Sequence, residues 1–213
     1  MTGHFHVLVP LKRLGGAKSR LAEFLSPAAR AELMQAMLAD VLAAVREASG
    51  VARITLVSSE RAAPALAREH GVAWWDDRGL PWNDALLAAM HEVVREPAVA
   101  VVSADIPLVV AEEIEALLAA TPGSGIAIAR ATDGGTNAVA LRPAAVLKTC
   151  FGSPGSAELH ARRAREENLE SVIVDRLGLA LDLDTPEDVE RFLAAGRATR
   201  SGALLSLIHE VPA

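Results

Sequence analysis

Short apolar runs alternate with longer amphipathic segments along almost the whole chain, and this alternation constrains the fold more than any other feature. A short apolar run bounded by polar or glycine residues predicts a buried strand, whereas an apolar stripe with helical spacing predicts a helix. The predicted strands cover residues 6–10, 53–57, 72–75, 99–103, 125–129, 138–141, 171–174 and 179–183.

The segments between these runs predict helices, and the clearest one spans residues 27–48. Ser26 is a natural N-cap, Pro27 suits the first turn and Gly50 follows the last turn. Further helices are predicted at 62–69, 83–94, 111–118, 156–168 and 186–195. The β-α-β-α order predicts an α/β fold with a doubly wound, mostly parallel sheet and helices on both faces.

Sheets of this kind bind ligands beyond the carboxyl ends of their strands. That rule selects the loops at 11–20, 58–60, 76–83, 103–107 and 182–185. We expect the 213 residues to form a single domain with a core at about 5–195 and a C-terminal tail at 196–213. The apolar end of the tail docks either on the body or on a second copy of the chain, as a homodimer.

Composition narrows the function classes. The net charge of −6 argues against general nucleic-acid binding, which needs a basic surface. The single cysteine, Cys150, excludes an intramolecular disulfide framework and favours a reducing cytoplasm. No secretory signal pattern opens the chain, and no apolar run approaches the ~20 residues of a membrane span. We therefore expect a cytoplasmic protein without a membrane or nucleic-acid partner.

A basic, glycine-containing loop follows the first predicted strand. It contains Lys12, Arg13, Gly15, Gly16, Lys18 and Arg20. Glycines let backbone N–H groups approach an anion and lysine neutralises it, so the loop predicts phosphate binding. The spacing matches neither the P-loop nor the dinucleotide fingerprint. A solvated basic loop is the alternative.

Three aspartates are candidate ligands of Mg²⁺. Asp105 directly follows an apolar strand, where an acid is costly to bury unless a cation pairs with it. Asp182 and Asp184 share one side of the predicted strand end because strand side chains alternate, which predicts a carboxylate clamp. The alternatives are structural: Asp105 caps the next helix or turns the chain toward it, and Asp184 or Thr185 caps the helix at 186. A Thr185 cap is compatible with the clamp.

Two further loops, at 132–137 and 151–156, are rich in glycine and hydroxyl residues. Each is either an ordinary turn or an anion-binding loop. Trp74, Trp75 and Trp82 flank an acidic turn, where an indole either stacks on a base or packs in the core.

Several of these segments, taken in order, resemble motifs of the 2-phospho-L-lactate guanylyltransferase family of coenzyme F420 biosynthesis, the CofC/FbiD type. The matching segments are 9–12 with 16–21 and 25–27, then 104–108, 135–138, 151–156 with His160, and 180–186. The family belongs to the MobA-like nucleotidyltransferases. The resemblance therefore implies a Rossmann-like fold of the GT-A type.

The resemblance implies transfer of GMP from GTP to the phosphate of a three-carbon acid, with release of pyrophosphate. The acceptor would be 2-phospho-L-lactate, phosphoenolpyruvate or 3-phosphoglycerate, and Mg²⁺ the cofactor. Asp105, Asp182 and Asp184 match the metal-binding acids, and Lys18 and Asp105 would be the catalytic residues. The triphosphate loop is matched by Lys12, Gly15, Gly16, Lys18 and Arg20. Asn83 and either Ser58 or Ser59 lie where guanosine would be read, and the acceptor site is matched by Thr136, Gly152, Gly155 and Ser156.

Two departures from the family pattern bear on the identity of the acceptor and on the exact register of the site residues. Pro81 and Trp82 are interposed where the family often reads Gly-Leu-Asn, and Ser153 lengthens the acceptor loop. Two other functions stay open: a related MobA-like transferase with another acceptor, and a nucleotide-binding module without turnover. The complete set of one lysine and three aspartates argues against the module.

Overall fold

A seven-stranded sheet forms the centre of the protein in a computed structural model that describes residues 5–12 and 18–209. In chain order the strands are β1 (Phe5–Pro10), β2 (Val51–Val57), β3 (Ala73–Trp75), β4 (Ala98–Val102), β5 (Gly125–Arg130), β6 (Thr136–Arg142) and β7 (Glu170–Val174). Their order across the sheet is β3-β2-β1-β4-β6-β5-β7. The predicted strands up to residue 174 are confirmed to within two residues at each end.

Helices follow most strands. They are α1 (Pro27–Glu47), α2 (Ala63–Glu69), α3 (Trp82–Glu92), α4 (Ala111–Ala120), α5 (Ser156–Glu166), α6 (Leu177–Ala180), α7 (Pro186–Ala194) and α8 (Arg200–His209), with a 3₁₀ turn at Ser19–Leu21. The predicted cap of α1 is confirmed, since the Ser26 hydroxyl accepts a hydrogen bond from the Ala29 N–H at 3.2 Å. None of the described helices combines the length and the apolar character that crossing a bilayer requires.

Helices cover both faces of the sheet, as predicted. Alternate residues of β1 belong to two separate cores, with Val7 in one and Leu8 in the other. The first core includes buried side chains of α1 and α4, and the second includes those of α3 and α5. Because strand side chains alternate between faces, the two cores lie on opposite sides of the sheet.

One strand, β6, runs against its neighbours. It pairs antiparallel with both β4 and β5, whereas the other pairs are parallel. The amino end of β6 therefore lies at the same edge of the sheet as the carboxyl end of β4. A hydrogen bond from the Ser103 N–H to the Asn137 carbonyl, at 2.9 Å, extends this pairing by one residue. Polar residues at the start of β6 thus adjoin the loop after β4.

The strand predicted at 179–183 is wrong. Leu179 lies in the short helix α6, and the segment after it joins no sheet, although it donates one backbone hydrogen bond from Leu183 to Asp105 at 3.1 Å. Leu181 and Leu183 are buried while the aspartates between and after them are partly exposed. The alternating pattern therefore reflects one-sided packing on the core rather than strand pairing.

The C-terminal tail forms α8, which packs on α1. Asp40 of α1 accepts hydrogen bonds from the Arg200 N–H and from both the N–H and the hydroxyl of Ser201, at 2.7–2.9 Å. Thr199 caps the same helix, because its hydroxyl accepts from the Gly202 N–H at 2.9 Å. Docking on the body is thus the alternative that the structure shows, and the homodimer stays a prediction.

We expect Asp40→Ala to destabilise the protein, because it leaves the first N–H groups of α8 without their acceptor. The expected loss in the free energy of unfolding is about 1–2 kcal/mol, measured by chemical denaturation. Glu32→Ala, at an exposed position of α1, the helix that also carries Asp40, is the control. Equal stabilities of the two variants would show that Asp40 does not hold the tail.

Candidate active site

Three carboxylates meet at the edge of the sheet where β4 ends. Asp105 lies in the turn after β4, and Asp182 and Asp184 lie in the segment that leads to α7. One oxygen from each carboxylate lies within 4.8 Å of the others. The aspartates that the sequence singled out are therefore neighbours in the fold.

Neither Asp105 nor Asp184 is the N-cap of the helix that follows it. The N-cap of α4 is Val110, so Asp105 does not cap that helix. The N-cap of α7 is Thr185, whose hydroxyl accepts from the Asp188 N–H at 3.2 Å. Asp188 in turn accepts from the Thr185 N–H at 2.9 Å. The side chain of Asp184 is thus left to face the other carboxylates.

The ammonium of Lys18 lies between two of these acids. It donates to Asp105 Oδ2 at 2.7 Å and to Asp184 Oδ1 at 2.5 Å. Its side chain is only 4% exposed. Burial by itself would lower the pKa of Lys18, but the charges of Asp105 and Asp184 outweigh burial and raise it. Lys18 is therefore a permanent cation inside the acidic cluster.

The pKa values of the other two acids move apart. Burial, together with the negative charges of Asp105 and Asp184, raises the pKa of Asp182 to about 6. Burial would also raise the pKa of Asp184, but the adjacent Lys18 outweighs it and lowers that pKa. The Asn137 amide approaches Asp182 Oδ1 at 3.4 Å. Among the described residues, Asp182 has no cation within salt-bridge distance.

This donor set could bind a metal ion. Carboxylate oxygens are hard ligands, which Mg²⁺ and similar cations prefer. One lysine does not balance three carboxylates, so a further cation is electrostatically favoured at the cluster. Asp105, Asp182 and Asp184 are the residues that would hold it.

A cleft of about 380 Å³ opens beside the carboxylates. Its polar wall comes from the start of β6, from the loop before α5 and from the first residue of α5. The lining residues include Arg20, Asp133, Thr136, Asn137, Gly152, Ser153, Gly155 and Ser156. The predicted acceptor-site residues therefore share one wall of this cleft, which we call the acceptor cleft.

A buried histidine fixes the hydroxyl groups of that wall. The Cys150 N–H donates to Nε2 of His160 at 2.8 Å, so Nε2 is unprotonated and the proton resides on Nδ1. Nδ1 faces the Ser156 carbonyl at 2.8 Å and the Thr136 hydroxyl at 3.2 Å. The Ser156 hydroxyl donates to the Thr136 hydroxyl at 2.9 Å. Burial lowers the pKa of His160 to about 4, so it is neutral at physiological pH.

The side chain of Asn83 holds the loop before α5. Its Oδ1 accepts from the Phe151 N–H and from the Thr149 hydroxyl, both at 2.9 Å. Its Nδ2 donates to the Phe151 carbonyl at 3.0 Å. The structure thus places the Asn83 amide on the loop of the acceptor cleft, and its predicted contact with the nucleotide stays a prediction.

A second cavity, of about 270 Å³, lies at the carboxyl ends of β1 and β2. We name it the nucleotide cleft after the predicted contact of the neighbouring Ser58 with guanosine; its lining includes Leu11, Lys12, Ser59, Asp77, Gly79, Leu80 and Trp82. The predicted residue Ser58 is completely buried beside it. The Ser58 hydroxyl donates to the Leu11 carbonyl at 2.7 Å and accepts from the Glu60 N–H at 3.0 Å. Ser58 joins the ends of two strands, and Ser59 is the serine that lines the cavity.

The basic loop is described in part. Lys12 lines both clefts and Arg20 lines the acceptor cleft. Gly15 and Gly16 lie outside the described residues, so their role stays a prediction.

Asn137 belongs to the loop at 132–137 that the sequence singled out, but no role was predicted for it. Trp82 was left undecided between base stacking and packing. Both line the acceptor cleft. Trp82 had one signal in the sequence, since it is interposed within an otherwise familiar motif.

Lowering the pH should destabilise the protein through His160. Its pKa is about 4 in the folded state and near 6.5 when unfolded, so the unfolded state binds more protons between these values. The free energy of unfolding should therefore fall as the pH drops from about 6.5 toward 4, by up to about 3 kcal/mol from this group. Denaturation of wild type and His160→Gln at several pH values isolates this contribution.

His91→Gln, in the last turn of α3, serves as the control for removing a histidine. We expect His160→Gln to lose the extra pH dependence and His91→Gln to keep it. Parallel pH profiles for wild type and His160→Gln would contradict a buried neutral imidazole.

The chain is similar to several known proteins. Phosphoenolpyruvate guanylyltransferase of Sphaerobacter thermophilus is 39% identical over 194 residues, which cover 90% of this chain and 92% of that protein. 2-Phospho-L-lactate guanylyltransferase of Methanothermobacter thermautotrophicus is 33% identical over 91% of this chain and 86% of its own length. A solved structure from Desulfovibrio desulfuricans, described as a nucleotide-diphospho-sugar transferase, superposes with a TM-score of 0.80 at 20% identity, covering 96% of each chain.

The solved structure supports the nucleotidyltransferase fold that the resemblance implied. The family described as "Guanylyl transferase CofC like" matches residues 5–210, almost the entire chain. With an acidic cluster at the edge of its sheet and curated guanylyltransferase relatives, the protein is a nucleotidyltransferase enzyme. The chain belongs to the CofC-like guanylyl transferase family.

Proposed function

We propose that this protein transfers GMP from GTP to the phosphate of a small three-carbon phospho-acid, releasing pyrophosphate, in coenzyme F420 biosynthesis. The observation that carries the proposal is the position of the three aspartates. They line the acceptor cleft, and the residues Lys12 and Trp82 at its border also line the nucleotide cleft. Two substrates can therefore meet beside one acidic cluster.

The acceptor cleft supports a small phosphorylated acid. Gly152 and Gly155 have positive φ values of 77° and 63°, which lets the loop curve around the start of α5. The helix N-terminus beyond Gly155 favours an anion. The hydroxyls of Thr136 and Ser156 would contact the acceptor phosphate. Because relatives named phosphoenolpyruvate guanylyltransferase are among the most similar, phosphoenolpyruvate is the acceptor to test first, with 2-phospho-L-lactate and 3-phosphoglycerate as alternatives.

The chemistry needs positioning more than proton transfer. An oxygen of the acceptor phosphate attacks the α-phosphorus of GTP, and the bond from that phosphorus to pyrophosphate breaks. The acceptor phosphate is already an anion at neutral pH, so no general base is required. His160 agrees with this, because it is neutral and both of its ring nitrogens are engaged within the wall.

Charge neutralisation is the main task of the protein. Two anionic substrates repel each other, and pyrophosphate leaves with additional charge. Lys18, Lys12 and Arg20 would offset these charges, and Gly15 and Gly16 would offer backbone N–H groups to the triphosphate. Asp105, Asp182 and Asp184 would hold Mg²⁺, which when bound screens the phosphates and polarises the α-phosphate.

The experiment that tests the proposal is pyrophosphate release by the purified protein with Mg²⁺ and each of the three acceptors. We expect release that depends on the acceptor with GTP, and little with CTP or ATP. Release with CTP but not GTP would favour a related transferase. Binding of GTP without release for any acceptor would overturn the proposed reaction.

Asp105→Asn should lower turnover in this assay at least about 100-fold, because it removes one of the charges that would organise the reacting phosphates. The free energy of unfolding should change much less, since Lys18 keeps Asp184 as a partner. Asp84→Asn is the control, because it removes an exposed carboxylate of α3 that pairs with Lys148. Near-normal turnover of Asp105→Asn would exclude this assignment.

Lys18→Met should lower turnover and strengthen metal binding to the free protein. In the folded chain the ammonium competes with any cation for Asp105 and Asp184, so its removal should tighten Mn²⁺ binding without nucleotide by roughly tenfold, or ~1.4 kcal/mol. Electron paramagnetic resonance titration of Mn²⁺ measures this directly. Lys148→Met, which removes an exposed charge, is the control. Unchanged Mn²⁺ affinity in Lys18→Met would contradict the competition.

A further inference from the structure

An aromatic stack crosses the border between the two clefts. The Lys12 Nζ lies 3.9 Å from the centroid of the Trp82 ring. Trp82 stacks on Phe151, with centroids 5.9 Å apart and planes within 8°. Phe151 meets His160 edge to face at 5.5 Å and 72°. The stack thus runs from the basic loop of the nucleotide cleft to the histidine behind the acceptor wall.

Lys12 and Lys18 are held in different ways. Lys18 is tied to two carboxylates, so most of its charge is already balanced. Within the described part of the chain no carboxylate lies within salt-bridge distance of Lys12, and the face of an indole holds its ammonium instead. A ring face attracts the ammonium electrostatically and engages only the N–H groups that point toward it, out of three. The Lys12 ammonium is therefore positioned while the donors on its far side stay available to an anion.

The position of Trp82 at the start of α3 directs its ring toward Lys12. Pro81 is the N-cap of α3 and Trp82 is its first residue. Asn83, the next residue, holds both the N–H and the carbonyl of Phe151. The backbone around Trp82 is thus tied to the acceptor loop, which keeps the indole parallel to the Phe151 ring.

We infer that Trp82 is a positioning residue that holds the Lys12 ammonium at the border of the two clefts, where it binds a phosphate oxygen. This inference rests on the proposed function for the identity of the phosphates, but the anion site itself does not. Because the Lys12 ammonium rests on the Trp82 ring, the contribution of Lys12 to anion binding should depend on an aromatic ring at position 82. The ligand class is a phosphate or pyrophosphate group.

The test is a double-mutant cycle on pyrophosphate binding, measured by isothermal titration calorimetry without metal or acceptor. Lys12→Met should weaken pyrophosphate binding roughly tenfold. Trp82→Met, which keeps an apolar side chain but no ring face, should weaken it roughly threefold to fivefold. In the Lys12→Met background, Trp82→Met should have almost no further effect, because the two residues act through one ammonium.

Trp82→Phe is the conservative rescue, since it keeps a ring face and should bind pyrophosphate within roughly twofold of wild type. It also keeps the test decisive if Trp82→Met folds poorly. Trp75→Phe, which exchanges an indole that contacts Glu92 on the surface of α3, is the matched control. The binding measurements are made alongside denaturation midpoints of every variant.

Three results would overturn the inference. They are absence of pyrophosphate binding to the wild-type protein at millimolar concentration, equal losses from Trp82→Met with and without Lys12, and a loss in Trp82→Phe as large as in Trp82→Met. Failure of the proposed function looks different. In that case no acceptor supports pyrophosphate release, while the binding cycle still decides whether Trp82 positions Lys12.

Discussion

The crowding of three carboxylates at the end of a buried strand is the constraint on which the rest of the site depends. Their oxygens lie within 4.8 Å of one another, and among the described residues only Lys18 forms salt bridges with them. Like charges at this distance repel strongly when they are partly removed from water. Burial, together with this repulsion, raises the pKa of Asp182 to about 6. An arrangement of this kind favours the binding of cations.

The wall of the acceptor cleft that comes from β6 and the start of α5 follows another principle, since it is built from neutral groups. Hydroxyls, backbone and a neutral imidazole form one connected network around His160, and the Asn83 amide holds the adjoining loop. A connected network of this kind keeps polar groups in one geometry. The site thus combines a charged side with a neutral, hydrogen-bonded side.

Much of this organisation can be predicted from the sequence. Periodicity located the strands of the sheet and the helices from α1 to α7 except the short α6, because burial on one face leaves a repeating pattern. The same logic failed at 179–183, where Leu181 and Leu183 alternate with acids yet pair with no strand. Alternation reports which side of a segment is buried and says nothing about hydrogen-bonded neighbours.

By itself, the sequence determined the α/β class, the mostly parallel sheet, the three aspartates and the basic loop, because these depend on local periodicity and residue chemistry. Only the tertiary structure decided which groups meet. Lys18 lies 87 residues from Asp105 and 166 from Asp184, and the antiparallel β6 brings Thr136 and Asn137 to the same edge. It also turned Asn83 toward the acceptor loop, placed Lys12 on Trp82 and docked α8 on α1. Contacts between distant segments depend on strand order and packing, which no local pattern records.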